Sequence, residues 1–190
     1  MAGDRTLEHV RQIVALVDST PPRCGSTHLV AIDGPSGSGK TTLARRVADE
    51  LAAPTVHMDD LYPGWDGLRA GTHRANEWVV RPLCEGRAAR YQRWDWARDR
   101  YAAEWVQLPP TDVVVLEGCG SGALPGGAAA SALVWVEAQE AVRRARGLAR
   151  DPGYEAFWEQ WADQERRLYD ADRTWERADL VIDTTDDRLS

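Results

Sequence analysis

The feature that most limits what this chain can fold into is one segment that matches the pattern GxxxxGK[ST]. Its residues are Gly34, Pro35, Ser36, Gly37, Ser38, Gly39, Lys40 and Thr41. Glycines in such a segment let successive backbone N–H groups point inward around phosphate oxygens, and the N-terminus of a following helix adds its positive dipole end. An apolar run precedes the segment and a helix-forming run follows it. The sequence therefore predicts a strand, a phosphate-binding loop and a helix, in that order.

Lys40 is the only lysine of the chain, and the other 22 of the 23 basic residues are arginine. A compact ammonium group is not replaced equivalently by a guanidinium group, so a lysine kept at this position favours a functional loop over a chance match in a turn. Lys40 is expected to reach the β- and γ-phosphates of a nucleoside triphosphate, and the Thr41 hydroxyl to bind Mg²⁺. Thr42 completes the predicted nucleotide-binding residues.

Short apolar runs alternate with helix-forming stretches along the 190 residues, a length typical of one domain. Strands are predicted at 28–33, 55–58, 112–117, 132–136 and 178–183, and helices at 4–18, 41–52, 138–149 and 154–169. The stretch 65–107, rich in arginine and tryptophan, is predicted to be irregular and helical. The alternation predicts an α/β fold with a five-stranded, mostly parallel sheet and helices on both faces.

The charge balance and the cysteines exclude several classes of protein. Thirty acidic and 23 basic residues give a net charge of −7, which argues against a nucleic-acid-binding protein. No apolar run is long enough to span a membrane, and the N-terminus lacks the apolar core of a signal peptide. Cys24, Cys84 and Cys119 are odd in number and have no CxxC spacing, so neither a disulfide framework nor a zinc site is expected. A reducing cytoplasm is the expected location.

Further motifs follow the loop in a recognisable order. They are Asp59-Asp60-Leu61-Tyr62, Trp94-Asp95-Trp96, Glu117-Gly118, the arginine-rich segment from Arg143 to Arg150, and the closing run from Ala178 to Asp183. The chain has no NKxD motif, which argues against a GTPase. Over about Leu29 to Thr184 the sequence resembles the uridine kinase and phosphoribulokinase-like family of P-loop kinases.

This resemblance implies a three-layer P-loop NTPase fold with a short lid, ATP and Mg²⁺ as cofactors, and a small molecule as the phosphoryl acceptor. A single domain is predicted over residues 1–190, with an N-terminal helix at 1–20, an acceptor-binding insert at 60–110 and a lid at 138–153. The acceptor implied by the resemblance is a nucleoside or a similar metabolite. The oligomeric state is left open by the sequence.

Two carboxylates are candidates for the chemistry. Asp59 follows the second predicted strand, where it could accept the proton of an attacking hydroxyl and also approach the metal. Its spacing to Tyr62 repeats a DxFY pattern of the family, which favours Asp59 over Asp60 as the base; the alternative is that the aspartates cap a turn. Glu117 ends an apolar strand expected to lie beside the first strand, where it would face the Mg²⁺ bound by Thr41; the alternative is a solvated strand end.

The remaining candidates follow from the resemblance. Arg143 and Arg146 lie on the predicted lid helix and would stabilise the transferred phosphoryl group, unless they form a solvated surface. The predicted substrate residues are Asp59, Tyr62, Arg81, Trp94, Asp95 and Trp96. The tryptophans could equally serve only in packing. The histidine that nucleoside kinases of this family carry after the Trp94 segment is missing, which puts uridine or cytidine in doubt as the substrate.

Two further readings stay open. One is an ATP-binding regulatory NTPase module without a small-molecule acceptor. The other is a kinase of another acceptor class, such as a nucleotide, a sugar, a vitamin precursor or an antibiotic hydroxyl. Arg74, Arg81, Arg87 and Arg90 discriminate between acceptor classes, because several of them pointing into the pocket would favour a phosphorylated or carboxylated acceptor. The histidines His9, His28, His57 and His73 have no metal-ligand spacing and are expected to be structural or exposed.

Overall fold

A computed structural model of the chain describes residues 2–187. The strands in chain order are β1 (His28–Asp33), β2 (Thr55–His57), β3 (Ala89–Asp95), β4 (Arg100–Leu108), β5 (Val113–Glu117), β6 (Ala130–Glu137) and β7 (Leu180–Asp183). The helices are α1 (Ala2–Ser19), α2 (Lys40–Leu51), α3 (Leu68–Arg74), α4 (Arg81–Cys84), α5 (Glu140–Arg150), α6 (Trp158–Asp172) and α7 (Thr174–Arg177). Shorter 3₁₀ turns lie at Met58–Asp60, Gly126–Ala129 and Pro152–Phe157, and a π-helical segment at Ala75–Val80.

The core of the fold is a five-stranded parallel sheet in the order β2-β5-β1-β6-β7. Adjacent β1 and β5 pair with Ile32 opposite Glu117, as the sequence predicts for the strand that ends in Glu117. Because parallel strands all end at the same edge, the loop after β1 and the carboxylate at the end of β5 lie together there.

Helices cover both faces of this sheet, which confirms the predicted three-layer α/β architecture. Successive residues of β1 alternate between two hydrophobic clusters. Val30 and Ile32 pack with residues of α1 and α2 on one face, whereas Leu29 and Ala31 pack with α6 and the insert on the other. A strand buried on both faces reads as a continuous apolar run, which is why β1, β5 and β6 can be recognised from the sequence.

The insert differs from the prediction. The helical part is present in α3, the π-helical segment and α4, but the second half forms an antiparallel hairpin of β3 and β4. The prediction of irregular and helical structure across 65–107 is therefore wrong for residues 89–95 and 100–107. The pairing of Trp94 with Tyr101 provides the physical reason, because large aromatic side chains packed edge to face across two strands stabilise a hairpin.

The cysteines also correct an expectation. Cys24, in the loop before β1, and Cys84, at the end of α4, form a disulfide across 60 residues of sequence, whereas no disulfide was expected. Folding of the insert against that loop brings the two residues together, which their spacing in the sequence does not indicate. Cys119 is a buried free thiol. No helix within residues 2–187 is both long and apolar enough to cross a membrane. The cytoplasmic location stays a prediction.

Candidate active site

The loop between β1 and α2 depends on glycine at two close approaches. Gly34 has a φ of 136°, and a Cβ there would lie 2.0 Å from the carbonyl oxygen of Val136. Gly37 has a φ of 77°, and a Cβ there would lie 2.2 Å from the carbonyl oxygen of Arg143. Any side chain at these positions would force β6 or α5 away from the loop. The buried Lys40 begins α2, and its Nζ donates a hydrogen bond of 2.8 Å to the carbonyl oxygen of Pro35.

Asp33, the last residue of β1, anchors the start of this loop. Its buried carboxylate accepts hydrogen bonds from three backbone N–H groups and the Tyr169 hydroxyl at 2.6 to 2.8 Å. The backbone donors are Gly34, Gly120 and Gly122. Burial raises the pKa of Asp33, and the hydrogen bond from Tyr169 opposes that shift. From the sequence, Asp33 could be predicted only to end a strand, because the groups that donate hydrogen bonds to it come from segments far apart in the chain.

Thr41 and Glu117 face each other at the edge of the sheet. The Thr41 hydroxyl lies 3.3 Å from both carboxylate oxygens of the buried Glu117. Glu117 Oε1 is also 2.6 Å from Nδ1 of His57, and this hydrogen bond is the main cause of the raised pKa of His57. From the sequence, His57 was expected to be structural or exposed. Its contact with Glu117 could not be predicted, because it arises from the pairing of β2 with β5.

A hydroxyl and a carboxylate are the hard oxygen ligands that Mg²⁺ prefers, so the donor set of Thr41 and Glu117 fits this ion. Among the described residues, no group of three or more histidine, cysteine, aspartate or glutamate side chains could hold a metal ion. Mg²⁺ at this site would therefore need phosphate oxygens and waters as further ligands, which is how this ion is usually bound beside nucleotides.

A cavity of about 480 Å³ opens beside Glu117 and extends beneath the hairpin tip. Four carboxylates line it, from Asp59, Asp60, Glu117 and Asp151. Its aromatic lining consists of Tyr62, Trp65, Trp96, Tyr154 and Trp161. Trp65 stacks on Phe157 with ring centroids 4.4 Å apart and meets Trp96 at 4.9 Å, so the aromatic side chains form one continuous wall. The cavity suits a molecule with an apolar ring and polar groups near the phosphate loop.

Asp59 and Asp60 have different surroundings at this cavity. The Asp59 side chain is exposed to solvent through the cavity. Desolvation by the surrounding protein is the main cause that raises the pKa of its carboxyl, and the negative charge of Glu117 is the second. Arg150 opposes this shift. Asp60 instead forms an ion pair with Arg93 at 3.3 Å. Burial raises the pKa of Asp60 as well, so the two aspartates differ in the ion pair with Arg93 rather than in the direction of their pKa shifts.

The predicted substrate residues are only partly brought together. Trp96 lines the cavity, and its indole Nε1 donates a 3.1 Å hydrogen bond to the backbone oxygen of Asp59. Tyr62 also lines it, while its hydroxyl donates to the carbonyl oxygen of Cys119 at 2.7 Å. The structure does not bring the other three to the cavity. Trp94 packs edge-on against Tyr101, Asp95 pairs with Arg98, and Arg81 pairs with Glu77.

The strand end explains why Trp94 and Trp96 separate. β3 ends at Asp95, so Trp94 keeps its cross-strand partner Tyr101 while Trp96 lies in the following turn. The turn brings Trp96 to the Asp59 backbone, whereas Arg93 and Tyr101 of the two strands contact the neighbouring residues Asp60 and Leu61. A hairpin was not predicted here, and the sequence alone therefore could not separate the two tryptophans.

The predicted lid helix is α5, and its arginines make different contacts. Arg143 donates to the carbonyl oxygens of Ser36 and Ala138, each at 3.1 Å. Arg146 donates to the carbonyl oxygens of Thr184 and Asp187. Arg146 and Arg150 both line a cavity of about 370 Å³ over the phosphate loop, beside Lys40 and Thr41.

Arg150 also lines the cavity that contains Asp59, so it lies between the two cavities. The sequence places Arg150 in the arginine-rich segment, but it was not among the predicted catalytic residues. Its position at the end of α5 is the signal that could have identified it, because that end leads into the turn carrying Tyr154.

The fold and this loop together define a P-loop protein. Residues 30–89 match the cytidylate kinase family. A solved structure of a possible uridine kinase from Bacillus stearothermophilus superposes with a TM-score of 0.64 at 20% identity, covering 95% of this chain and 98% of that one. This likeness establishes the shared fold.

Two curated relatives support the same relationship. A uridine kinase from Halobacterium salinarum is 31% identical over 105 residues, 47% of this chain and 46% of that protein. A cytidylate kinase from Thermus thermophilus is 42% identical over 64 residues, 33% of this chain and 31% of that protein. The matched regions span less than half the length of these relatives. The resemblance to uridine kinase-like P-loop kinases is thereby confirmed.

Proposed function

We propose that this protein is an ATP- and Mg²⁺-dependent kinase that transfers a phosphoryl group to a hydroxyl of a small molecule. One observation carries the proposal: the phosphate loop and the carboxylates of Glu117 and Asp59 border a single cavity large enough for a metabolite. A nucleotide-binding protein without an acceptor has no need of a second, aromatic cavity that begins where the phosphate loop ends.

In the proposed reaction, the residues of the site would have distinct roles in phosphoryl transfer. The loop amides and Lys40 bind the β- and γ-phosphates, and Thr41 and Glu117 hold Mg²⁺, which neutralises developing charge on the phosphate oxygens. Asp59 accepts the proton of the acceptor hydroxyl as its oxygen bonds to the γ-phosphorus and the bond from that phosphorus to the β–γ bridging oxygen breaks. Arg150, which lines both cavities, would stabilise the negative charge of the transferred group.

The acceptor class follows from the position of four arginines. Arg81 and Arg87 form ion pairs with Glu77 and Glu85. Arg74 lies over the rings of Trp78 and Tyr101, and Arg90 lies over Trp105. None of these four arginines lines the cavity of Asp59, where four carboxylates outnumber the single arginine, Arg150. The proposed acceptor is therefore a molecule without a phosphate or carboxylate group, such as a nucleoside or a similar ring-bearing metabolite.

The test is ADP release from Mg·ATP in the presence of a panel of nucleosides, nucleotides, sugars, vitamin precursors and hydroxylated antibiotics. Lys40→Ala serves as the blank. We expect one uncharged, ring-bearing compound to stimulate ADP release in the wild type alone. Stimulation only by phosphorylated compounds would contradict the acceptor class. ATP binding without stimulation by any compound would favour a regulatory NTPase module instead.

A further inference from the structure

The backbone of Ser36, in the middle of the phosphate loop, is bound by charged side chains at both its N–H and its C=O. Its N–H donates a 2.7 Å hydrogen bond to Oε1 of Glu165 in α6. Its carbonyl oxygen accepts a 3.1 Å hydrogen bond from Nη1 of Arg143 in α5. Glu165 Oε2 lies 3.8 Å from the same Arg143 nitrogen. These contacts form a closed ring through Ser36, Glu165 and Arg143.

The ring is buried. The Glu165 side chain is 5% exposed and that of Arg143 is 13% exposed. The carboxylate also accepts a hydrogen bond from the Cys119 thiol at 3.2 Å, and burial raises the pKa of that thiol to about 12, which keeps it a donor. A buried carboxylate is costly unless it is paired and hydrogen-bonded, so Glu165 requires these partners to keep their positions.

Two residues of the loop turn their N–H toward a protein carboxylate: Gly34 donates to Asp33 at the start of the loop, and Ser36 donates to Glu165 in its middle. Glu165 fixes the N–H of the peptide between Pro35 and Ser36, and Arg143 fixes the C=O of the next peptide, which leads into Gly37, a residue with a φ of 77°. The orientation of Gly37 in turn sets the direction of the N–H groups that follow it, which are the groups that bind phosphate in such loops.

The same helix reaches both parts of the site. Trp161, one turn before Glu165, lines the acceptor cavity. Tyr169, one turn after it, donates to Asp33 and to the carbonyl oxygen of Gly34. Residues four apart lie on one helix face. One face of α6 therefore contacts the acceptor cavity, the middle of the phosphate loop and its beginning.

We propose that Glu165 is a positioning residue that, with Arg143, fixes the two peptides on either side of Ser36 and so holds the phosphate loop in position relative to the acceptor cavity. The proposal rests on the proposed function for its second half, the alignment with an acceptor. Its first half, control of the loop's affinity for phosphates, stands on the geometry of Glu165, Arg143 and Ser36. Glu165 lines neither cavity and acts through the backbone of Ser36.

The test measures ADP binding by calorimetry in EDTA, which requires neither Mg²⁺ nor an acceptor. Glu165→Gln keeps an oxygen for Ser36 but removes the charge that faces Arg143. We expect its ADP affinity to fall at least fivefold. Glu159→Gln, the same substitution on an exposed position of α6, is the matched control and should bind ADP as the wild type does. Wild-type ADP affinity in a folded Glu165→Gln protein would overturn the proposal, even if its melting temperature fell.

A measurement on the wild-type protein keeps the proposal testable if the variant fails to fold. The Ser36 N–H should exchange slowly with solvent deuterium before any nucleotide is added. Exchange as fast as in an exposed loop would show that Glu165 does not hold this N–H. If an acceptor is found, Glu165→Gln should lower kcat severalfold and leave the acceptor KM within twofold. An absent acceptor would count against the proposed function alone, since neither ADP binding nor amide exchange depends on it.

Discussion

The hydroxyl oxygen of Thr41 lies 3.3 Å from each carboxylate oxygen of Glu117, although 76 positions separate them in the sequence. Thr41 follows the loop after β1, and Glu117 ends the neighbouring parallel strand β5. Their approach is thus a direct consequence of strand order. It places a hydroxyl and a carboxylate where a phosphate-bound Mg²⁺ would need protein ligands.

Glu117→Gln should therefore change the requirement for Mg²⁺ more than the affinity for nucleotide. We expect the Mg²⁺ concentration for half-maximal turnover to rise about tenfold, as is typical when a carboxylate at a metal site is altered. ADP affinity in EDTA should be unchanged. Glu137→Gln, at the end of the adjacent strand β6, is the control and should behave as the wild type. An unaltered Mg²⁺ dependence in Glu117→Gln would remove this residue from the metal site.

Asp33→Asn tests the anchor of the phosphate loop. The carboxylate accepts four hydrogen bonds, and an amide NH₂ would face one of these donors with another donor. We expect a loss of about 2 kcal/mol in the free energy of unfolding at pH 7, the usual cost of leaving a buried donor unpaired. Urea unfolding measures it, and a variant as stable as the wild type would contradict the anchoring role.

The same pair of proteins tests the pKa of Asp33. Burial raises its pKa in the folded protein above the ordinary value of 3.8. The folded state thus binds this proton more tightly than the unfolded chain, so the contribution to stability is present below pH 3.8 and declines as pH rises through the folded pKa. The stability difference between wild type and Asp33→Asn should be larger at pH 4 than at pH 7. A difference that grows toward pH 7 would show the opposite shift.

Trp96→Ala tests the aromatic wall. Trp96 contacts Trp65 in the cavity and donates to the Asp59 backbone, so its loss should raise the acceptor KM about tenfold, within the range of one lost aromatic contact. ADP affinity should not change, because Trp96 itself does not line the cavity over the phosphate loop. Trp105→Ala removes a comparably exposed tryptophan of the same hairpin, outside the cavity, and should have little effect on KM. Equal effects of both substitutions would point to general hairpin damage.

Arg150→Gln tests the residue between the two cavities. Removing one charge that stabilises a transferred phosphoryl group typically lowers turnover a hundredfold or more, and we expect about that loss in kcat. Arg144 lies on the same helix but pairs with Glu155 at the surface, so Arg144→Gln is the matched control. Initial rates at saturating substrates provide the comparison. Unchanged kcat in Arg150→Gln would show that Arg150 does not stabilise the transferred phosphoryl group.

The sequence predicts the centre of the sheet well because β1, β5 and β6 are buried on both faces. β1 begins and ends where the apolar run His28–Asp33 does, and β5 differs from its prediction by one residue. The glycine loop could be located for the same kind of local reason, since its pattern is contiguous. The position of Glu117 near Thr41 could be predicted because the expected fold places the strand that ends in Glu117 beside β1.

The parts that could not be predicted depend on contacts between distant segments. The hairpin requires Trp94 to meet Tyr101, and the disulfide requires α4 to fold against the loop before β1. Glu165 reads as an ordinary helix residue until the fold brings it to Ser36, 129 positions away. No local pattern in the chain signals such an approach.

The most direct test of the central claim compares Asp59→Asn with Asp60→Asn in an assay of acceptor-stimulated ADP release. If Asp59 accepts the proton of the acceptor hydroxyl, Asp59→Asn should bind ADP within about threefold of the wild type and lose turnover by a factor of 10² to 10⁴. Asp60→Asn, which loses only an ion pair with Arg93, should retain most of its turnover. Unchanged turnover in Asp59→Asn would contradict the assignment of Asp59 as the base that the proposed kinase reaction requires.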